Sequence, residues 1–430
     1  MNKETSYQKI FFELNKKTIT IFAVLFLVVN CVLQYKFFPA FTNPGGNGDE
    51  NGYKVLVESI HGFNLEFFSN LNAQPFAFVC YLFNKIFHDA RFTIRFVSLI
   101  SSIITVGFLF FYYKKYKFFE IVKGNNFLNN LIVFNVLFAS FYILESHFVG
   151  TSDVFSVAFG LPGFILLTEN LLNKKNHSAL LIGFLFAISF TSRPTFLIVL
   201  LAFFISVFLF YFKKIISKKL IFAGIFFIVF TGIINYSPLF NKGKIVLDVK
   251  EVPKETGTSW FEMNYLMAKK WDAGEIPRTQ WLSHLDVIKF KKENPNFVFP
   301  KNHLDIMIND TGLFSRQMLR MMVVSIYSSF RYLLFLFPFL ILFYFFKKSD
   351  VIALETKKVY FTVCFYVTAL TLFMASAFKL MEFRWMYIPI VFYAFYALHF
   401  SKGLSSEKRI VLFNLVFLSG IGFFILKMLK

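Results

Sequence analysis

Residues 92–113 read FTIRFVSLISSIITVGFLFFYY, an apolar run with a single charged side chain, Arg95. A helix of about 20 mostly apolar residues can cross a hydrocarbon core about 30 Å thick, so this run predicts a membrane-spanning helix. The composition of the whole chain agrees. Of its 430 residues, 57% are hydrophobic, against the roughly 45 to 50% typical of soluble domains, and 67 are phenylalanine. The chain is therefore predicted to be an integral membrane protein.

Similar runs recur along the sequence and predict about eleven spanning helices. They are residues 18–40, 92–113, 126–144, 153–172, 177–190, 194–212, 219–236, 327–346, 359–378, 384–400 and 409–427. Because the runs are unbroken rather than alternating, they favour helices over the strands of a barrel. We predict an all-α membrane protein with juxtamembrane helices on its outer face and a small periplasmic loop subdomain.

If the spans alternate in direction, the short loops on one side are rich in lysine. The lysine pairs on that side are Lys16–Lys17, Lys114–Lys115, Lys174–Lys175, Lys213–Lys214, Lys218–Lys219, Lys347–Lys348 and Lys357–Lys358. Lysine and arginine concentrate in cytoplasmic loops, so the N-terminus is predicted to be cytoplasmic, in a bacterial inner membrane. The net charge of +20 reflects this topology. Pairs beside spans, rather than one basic stripe, do not favour nucleic-acid binding.

Two polar segments interrupt the apolar pattern, and both fall on the outer side. Segment 41–91 contains a predicted amphipathic helix at 50–62 and a second short helix, lying at the membrane interface, that starts near Pro75. Segment 237–326 is predicted to form the periplasmic subdomain. The chain thus divides into an N-terminal transmembrane region, 1–236, with a catalytic first outer loop at 41–91, then the subdomain at 237–326, and a C-terminal transmembrane region, 327–430.

Ionisable residues gather at the outer ends of the predicted spans or in the outer loops. They are Asp49, Glu50, Glu145, His147, Asp153, Arg193, Lys379, Glu382 and Arg384. Placing a charge in hydrocarbon costs about 2.5 to 3.5 kcal/mol, so such residues suggest function. We therefore predict an active site at the periplasmic face.

Five short motifs occur in order at this face. They are Asp49-Glu50 with Tyr53, Gln74-Pro75-Phe76 leading to Arg95 and Ser98, Glu145-Ser146-His147 with Asp153, Thr191-Ser192-Arg193-Pro194, and Glu382-Phe383-Arg384 with Tyr387. In this order they resemble motifs of the GT-C fold glycosyltransferases, especially bacterial relatives of the protein O-mannosyltransferases and the lipid A aminoarabinose transferase. The sequence departs from that family at Gln74, where those transferases often carry lysine.

The resemblance implies an inverting glycosyltransferase that moves a sugar from a polyprenyl-phosphate donor to a lipid, glycan or protein acceptor. It makes Asp49 the catalytic base, with Glu50 as the alternative base or as the residue that orients Asp49. A carboxylate suits this role because the acceptor hydroxyl loses a proton as it attacks the anomeric carbon. The candidate substrate-binding residues are Tyr53, Gln74, Glu145, His147, Asp153, Arg193, Lys379, Arg384 and Tyr387. Arginine suits the lipid phosphate through bidentate hydrogen bonds.

Structural interpretations of the same residues remain open. Adjacent acids after a glycine-rich stretch commonly begin a helix, and Asp153 can cap the span that it starts. Arg193, Lys379 and Arg384 can anchor span ends at the interface, with their charged groups in water.

A metal site is the further alternative. Two carboxylates and an imidazole, from Glu145, Asp153 and His147, are able to ligate a divalent ion. These residues spread over nine positions across a predicted loop-to-helix boundary. We therefore predict neither a metal nor another cofactor.

Other functions compete with glycosyl transfer. An O-antigen ligase or polymerase also combines many spans, a large periplasmic loop and lipid-linked sugars, but such proteins tend to lack an acidic pair after the first span. A multi-pass transporter of lipid-linked sugars usually shows repeat symmetry and broken helices, and neither is evident in this sequence. A scaffold protein has no need of acids and cations gathered on the outer side.

Overall fold

The computed structural model describes residues 3–43, 48–60, 73–116, 122, 124–140, 148–173, 175–215, 217–243, 245, 257–278, 280–332, 353–376, 383–400 and 405–429. Every regular element in these ranges is a helix. The first eleven are α1 (Lys3–Phe37), α2 (Pro39–Thr42), α3 (Gly48–Glu58), α4 (Gln74–Phe87), α5 (Ala90–Tyr116), α6 (Asn126–Ser140), α7 (Ser152–Leu172), α8 (Ala179–Ser192), α9 (Phe196–Ile215), α10 (Lys218–Ile234) and α11 (Tyr236–Lys242). The others are α12 (Trp260–Asp272), α13 (His284–Glu293), α14 (His303–Asn309), α15 (Thr311–Tyr332), α16 (Ala353–Ser376), a 3₁₀ turn (Phe383–Met386), α17 (Tyr387–Phe400) and α18 (Ser406–Leu429).

Five helices are long and apolar enough to cross a membrane. These candidate spans are Lys17–Thr42, Ala90–Lys115, Ser152–Leu172, Lys358–Ser376 and Glu407–Leu426. They coincide with five of the predicted runs, and they give the chain the character of a multi-pass membrane protein. The helical fold class is therefore confirmed for the described part of the chain.

Five more of the predicted runs form helices that are not among these candidate spans, namely α6, α8, α9, α10 and α17. A helix of 14 residues, such as α8, is only about 21 Å long, which is less than the hydrocarbon thickness. The last predicted run, 327–346, lies largely within residues 333–352, outside the described ranges. A topology of eleven spans therefore stays a prediction.

Helix α7 is the core of the first compact unit, which comprises residues 1–248, 329–369 and 384–430. Its sequence is apolar on all faces, the pattern of a helix enclosed by other helices, and 94% of its span is buried. It packs against α5, α8 and α17. A Cβ at Gly160 would lie 2.8 Å from the Phe196 ring and 2.9 Å from Ile388 Cδ1, so glycine permits the close approach of α9 and α17.

A second compact unit comprises residues 249–328 and 370–383. Around α12, one cluster of buried side chains is formed by Met263, Leu266, Met267, Trp271, Leu282 and Val287. The side chains of Ser259 and Ser283 cap α12 and α13 by accepting hydrogen bonds from backbone amides of the first turn. The periplasmic location and the boundaries 237–326 stay predictions.

We expect Gly183→Ala to lower the thermal unfolding midpoint in detergent. A Cβ at this position in α8 would lie 2.5 Å from Phe226 Cβ and 2.7 Å from the backbone nitrogen of Phe227 in α10, where neither atom can move freely. Overpacking of this kind costs about 1 to 3 kcal/mol.

The control is Gly224→Ala in α10, where a new Cβ meets nothing within 4 Å. Alanine is the better helix former, so this variant should melt at or slightly above the wild-type midpoint. Equal midpoints for the two variants would show that α8 and α10 do not pack as closely as described.

Candidate functional site

The candidate site begins at the N-terminal end of α7. Thr151 precedes the helix in extended conformation, and Asp153 lies in the first helical turn. The side chain of Asp153 is only 4% exposed. A carboxylate is favoured at the positive end of a helix dipole, but that effect is worth only about 0.3 to 1 kcal/mol at exposed positions. A buried carboxylate therefore needs additional cationic partners.

Two arginines provide this compensation. Arg193 Nε lies 2.8 Å from Asp153 Oδ1, and Arg384 Nη1 lies 3.2 Å from Asp153 Oδ2. The arginine side chains are themselves 14% and 20% exposed. Three predicted site residues that are far apart in sequence thus meet in one ion-paired cluster.

The position of Arg193 follows from the way α8 ends. Its backbone is extended, as expected for a residue before proline, and its amide donates to the carbonyl of Ser189. A tight turn at Pro194 then leads into α9. A cation at the negative end of a helix dipole is favourable. Arg193 therefore stabilises the end of α8 and the start of α7 together.

Arg384 comes from the 3₁₀ turn that precedes α17. The neighbouring Tyr387 is buried at the start of that helix. Lys379 and Glu382, which were predicted near this site, lie outside the described residues. The last motif thus contributes one described cation to Asp153, and Tyr387 packs in the helix core rather than on an open surface.

Helix α3 reaches the same end of α7. Tyr53 Oη lies 2.6 Å from Ser152 Oγ, and the Tyr53 ring meets the Phe76 ring edge to face. The second turn of α3 is therefore held beside the first turn of α7. Residue 49 precedes Tyr53 by four positions, one helical turn, but the side chain of Asp49 lies outside the described residues.

Glu50 forms a buried ion pair with Arg95 of α5. Arg95 Nε contacts Glu50 Oε1, and Nη2 donates to Oε2 at 3.2 Å. Nη1 donates to the carbonyl oxygens of Phe41 and Asn43 at 2.8 and 2.7 Å. Both side chains are under 5% exposed, and Arg95 thereby holds α3, through Glu50, and the segment before α3 against α5. This arrangement favours the positioning role predicted for Glu50 over its role as the base.

Three further predicted site residues, Gln74, Glu145 and His147, belong to the second and third motifs. Gln74 is buried in the first turn of α4, after Ala73 in left-handed conformation. Glu145 and His147 lie outside the described residues. Within the described ranges no three histidine, cysteine, aspartate or glutamate side chains are grouped to hold a metal ion.

Arg95 and Ser98 belong to the second motif but were not predicted as site residues. They lie three positions apart on one face of α5. Ser98 Oγ donates to the Thr151 carbonyl and accepts from the Thr151 amide, at 3.1 Å in both cases. Polar residues inside an apolar run were the signal, because hydrocarbon offers them no partners.

A second polar cluster, at the other end of α7, was missed. Glu169 accepts hydrogen bonds from Tyr396 Oη at 3.0 Å and from Asn173 Nδ2 at 2.7 Å, and Lys358 Nζ donates to Asn173 Oδ1 at 2.8 Å. Glu169 and Asp153 are the two acids of the predicted span 153–172, so the cost of an intramembrane charge could have identified both. This cluster joins α7 to α16 and α17.

We expect Arg95→Ala to destabilise the protein by about 3 to 5 kcal/mol, because it leaves the buried Glu50 carboxylate without its cation. Thermal unfolding in detergent measures the loss. The control is Lys54→Ala on α3, the helix that carries Glu50, which removes an exposed pair with Glu58 at 2.9 Å worth about 0.3 to 0.5 kcal/mol.

A double variant with Glu50→Leu and Arg95→Met tests the mechanism. Replacing both charged partners by apolar groups should recover much of the loss. If Arg95→Ala and Lys54→Ala have the same thermal unfolding midpoint, the ion pair does not hold α3 against α5.

Comparison with known proteins identifies no relative of this chain. No family model, no curated protein and no solved structure matches the chain. The resemblance to GT-C glycosyltransferases therefore depends on the order of short motifs alone. The function has to be inferred from the residues around Asp153 and from the helices that bring them together.

Proposed function

We propose that this chain is an inverting glycosyltransferase of the GT-C type, which takes its sugar from a polyprenyl-phosphate donor. The observation that supports it most is the buried Asp153 between Arg193 and Arg384, beside Tyr53 of α3. The reaction has two requirements, a proton acceptor and a cationic site for a phosphate. They are met if α3, which carries acids, and the two arginines lie at the same end of the helix bundle.

The reaction is a single displacement. The acceptor hydroxyl attacks the anomeric carbon as its proton passes to a carboxylate, the new glycosidic bond forms, and the bond from the anomeric carbon to the phosphate oxygen breaks. The electron pair of that bond leaves with the polyprenyl phosphate. Attack opposite the leaving group inverts the configuration of the sugar. A positioned general base contributes typically about 10²- to 10⁴-fold to such a step.

We assign the base to Asp49. Its neighbour Glu50 is held by Arg95, and that ion pair together with the Tyr53–Ser152 hydrogen bond fixes α3 beside the start of α7. A general base has to be positioned before it can act, so the buried pair serves the reaction through geometry.

In this proposal Arg193 and Arg384 bind the phosphate that leaves with the polyprenyl chain. Charge grows on the phosphate as the glycosidic bond breaks, and preorganised cations stabilise it strongly where water is excluded. Asp153 orients both guanidinium groups, since it contacts one Nε and one Nη1. In this assignment Asp153 is a positioning residue, and Arg193 and Arg384 contact the donor.

The proposal includes the membrane topology inferred from the sequence. It places about eleven spans in a bacterial inner membrane, with a cytoplasmic N-terminus and the Asp153 end of α7 facing the periplasm. The acceptor is a lipid, a glycan or a protein. An O-antigen ligase or polymerase remains the nearest alternative, since it also uses lipid-linked sugars. Transfer without an essential acid in α3 would favour that alternative.

Purified protein in detergent should transfer labelled sugar from polyprenyl-phosphate donors, with mannose and aminoarabinose donors tested first. We expect Asp49→Asn to lower turnover at least about 100-fold while donor binding is unchanged, because the amide accepts no proton. The control is Glu58→Gln, an exposed acid on the same helix that should retain full turnover. Equal turnover for Asp49→Asn and wild type excludes this residue as the base.

We expect Arg384→Lys to raise the KM for the donor by about tenfold with an unchanged melting midpoint. The ammonium keeps the charge beside Asp153 but loses the planar fork that matches phosphate oxygens. The matched control is Arg316→Lys, the same change in an exposed pair with Asp272 at 2.8 Å in the second compact unit. An unchanged KM with Arg384→Lys contradicts a direct contact with the donor.

A further inference from the structure

Four lysines gather at the end of α7 opposite Asp153, and we call them the lysine cluster. They are Lys115 at the end of α5, Lys175 in the loop after α7, Lys219 at the start of α10 and Lys358 at the start of the candidate span in α16. The first three lie within electrostatic range of the His177 ring. Lys175 and Lys358 lie within electrostatic range of the Glu169 carboxylate. Four separate parts of the chain thus bring positive charge to one place.

Hydrogen bonds fix the backbone of this region. Lys219 Nζ donates to the carbonyl oxygen of Lys175 at 2.5 Å, which joins the start of α10 to the loop after α7. The same loop is held by Asn170, whose side chain accepts from the His177 amide at 2.7 Å and donates to the His177 carbonyl at 2.9 Å. A preorganised loop loses less conformational freedom when it binds a ligand. The lysine cluster is therefore suited to holding an anion.

The lysine cluster carries more positive charge than Glu169 compensates. Glu169 is 2% exposed, and its two oxygens accept hydrogen bonds from Tyr396 and Asn173. Four ammonium groups thus lie around one buried carboxylate. The negative end of the α7 dipole offsets only about half an elementary charge. An anion bound among the lysines would therefore reduce their mutual repulsion.

An exposed apolar surface begins directly beside the lysine cluster. Helix α8 follows the loop that carries Lys175, and it packs against α10, with the Phe184 and Phe230 rings 5.2 Å apart. The first two turns of these helices present six apolar side chains that are each 39 to 50% exposed, namely Leu180, Leu181, Phe184, Ile221, Phe222 and Ile225. In a membrane protein such a surface is favourable next to acyl chains. Lysines beside apolar side chains match the two parts of an anionic phospholipid.

We propose that the lysine cluster and the adjoining faces of α8 and α10 bind an anionic phospholipid. The headgroup phosphate contacts Lys175 and Lys219, and the acyl chains lie along α8 and α10. The lysine asymmetry of the sequence predicts this end of α7 to be cytoplasmic, where anionic lipids give the leaflet a negative surface potential. Basic pockets between membrane helices on that side bind such headgroups. This site is independent of the proposed function, since no sugar donor takes part.

Binding of radiolabelled phosphatidylglycerol to delipidated protein in detergent tests the site, with phosphatidylcholine of the same acyl chains as the neutral reference. We expect the wild type to prefer phosphatidylglycerol by at least about tenfold, since each lysine near an anionic headgroup contributes about fivefold. Lys175→Gln, which changes an exposed side chain, should lower this preference by about fivefold. Lys175→Gln combined with Lys219→Gln should abolish it. The matched control is Lys289→Gln with Lys292→Gln, which removes two exposed charges from α13 and should keep the wild-type preference.

A preference that survives in both glutamine variants, or that falls equally in the control, would overturn the proposal. Lys175→Arg with Lys219→Arg keeps both charges and should retain the preference. Its loss there as well would assign the two lysines to the fold instead of to the lipid. Excess glycerol 3-phosphate should not displace the lipid, because the acyl chains provide much of the affinity. Displacement would show that the lysine cluster binds a soluble phosphate and would overturn the lipid assignment.

Discussion

The carboxylate of Asp153 is the constraint on which the arrangement of helices depends. It is buried at the start of the central helix, and a buried charge is tolerated only when opposite charges compensate for the water that it has lost. Those charges come from Arg193, at the end of α8, and from Arg384, in the turn before α17. The three helix ends must therefore meet at one level. Moving any of them along its axis by a single turn, about 5.4 Å, would leave the acid without a partner.

Polar contacts also fix the rest of this region, since apolar packing alone leaves helices free to slide. The other end of α7 is held by Glu169, whose hydrogen bonds involve Tyr396 and Asn173. Helix α3 is held twice, by the Glu50–Arg95 ion pair and by the Tyr53–Ser152 hydrogen bond. Interhelical hydrogen bonds in membranes average only about 0.6 kcal/mol. Their main contribution here is therefore to define the register between helices rather than to provide most of the stability.

The cost of burying polar groups explains what the sequence could and could not predict. Long apolar runs identify the five candidate spans, and rare charges at the ends of apolar runs identify Asp153, Arg193 and Arg384 as candidates for one site. The partner of Glu50 could not be predicted in this way. Arg95 is an isolated cation in an apolar run, and only the packing of α3 against α5 reveals which acid it meets. Glu169 was overlooked although it obeys the same rule, because it lies at the end of α7 where no catalytic motif was expected.

Adjacent acids can perform different tasks because a helix separates neighbouring positions by about 100°. Glu50 and Tyr53 are three positions apart and share the face of α3 that meets α5 and α7, where one binds Arg95 and the other binds Ser152. Both carboxylate oxygens of Glu50 already contact Arg95, and its side chain is only 2% exposed, which leaves little access for an acceptor hydroxyl. Glu50 therefore suits a fixed support far better than a base. If α3 carries the catalytic acid of a glycosyltransferase, the ion pair of Glu50 is what makes the position of its neighbour reproducible.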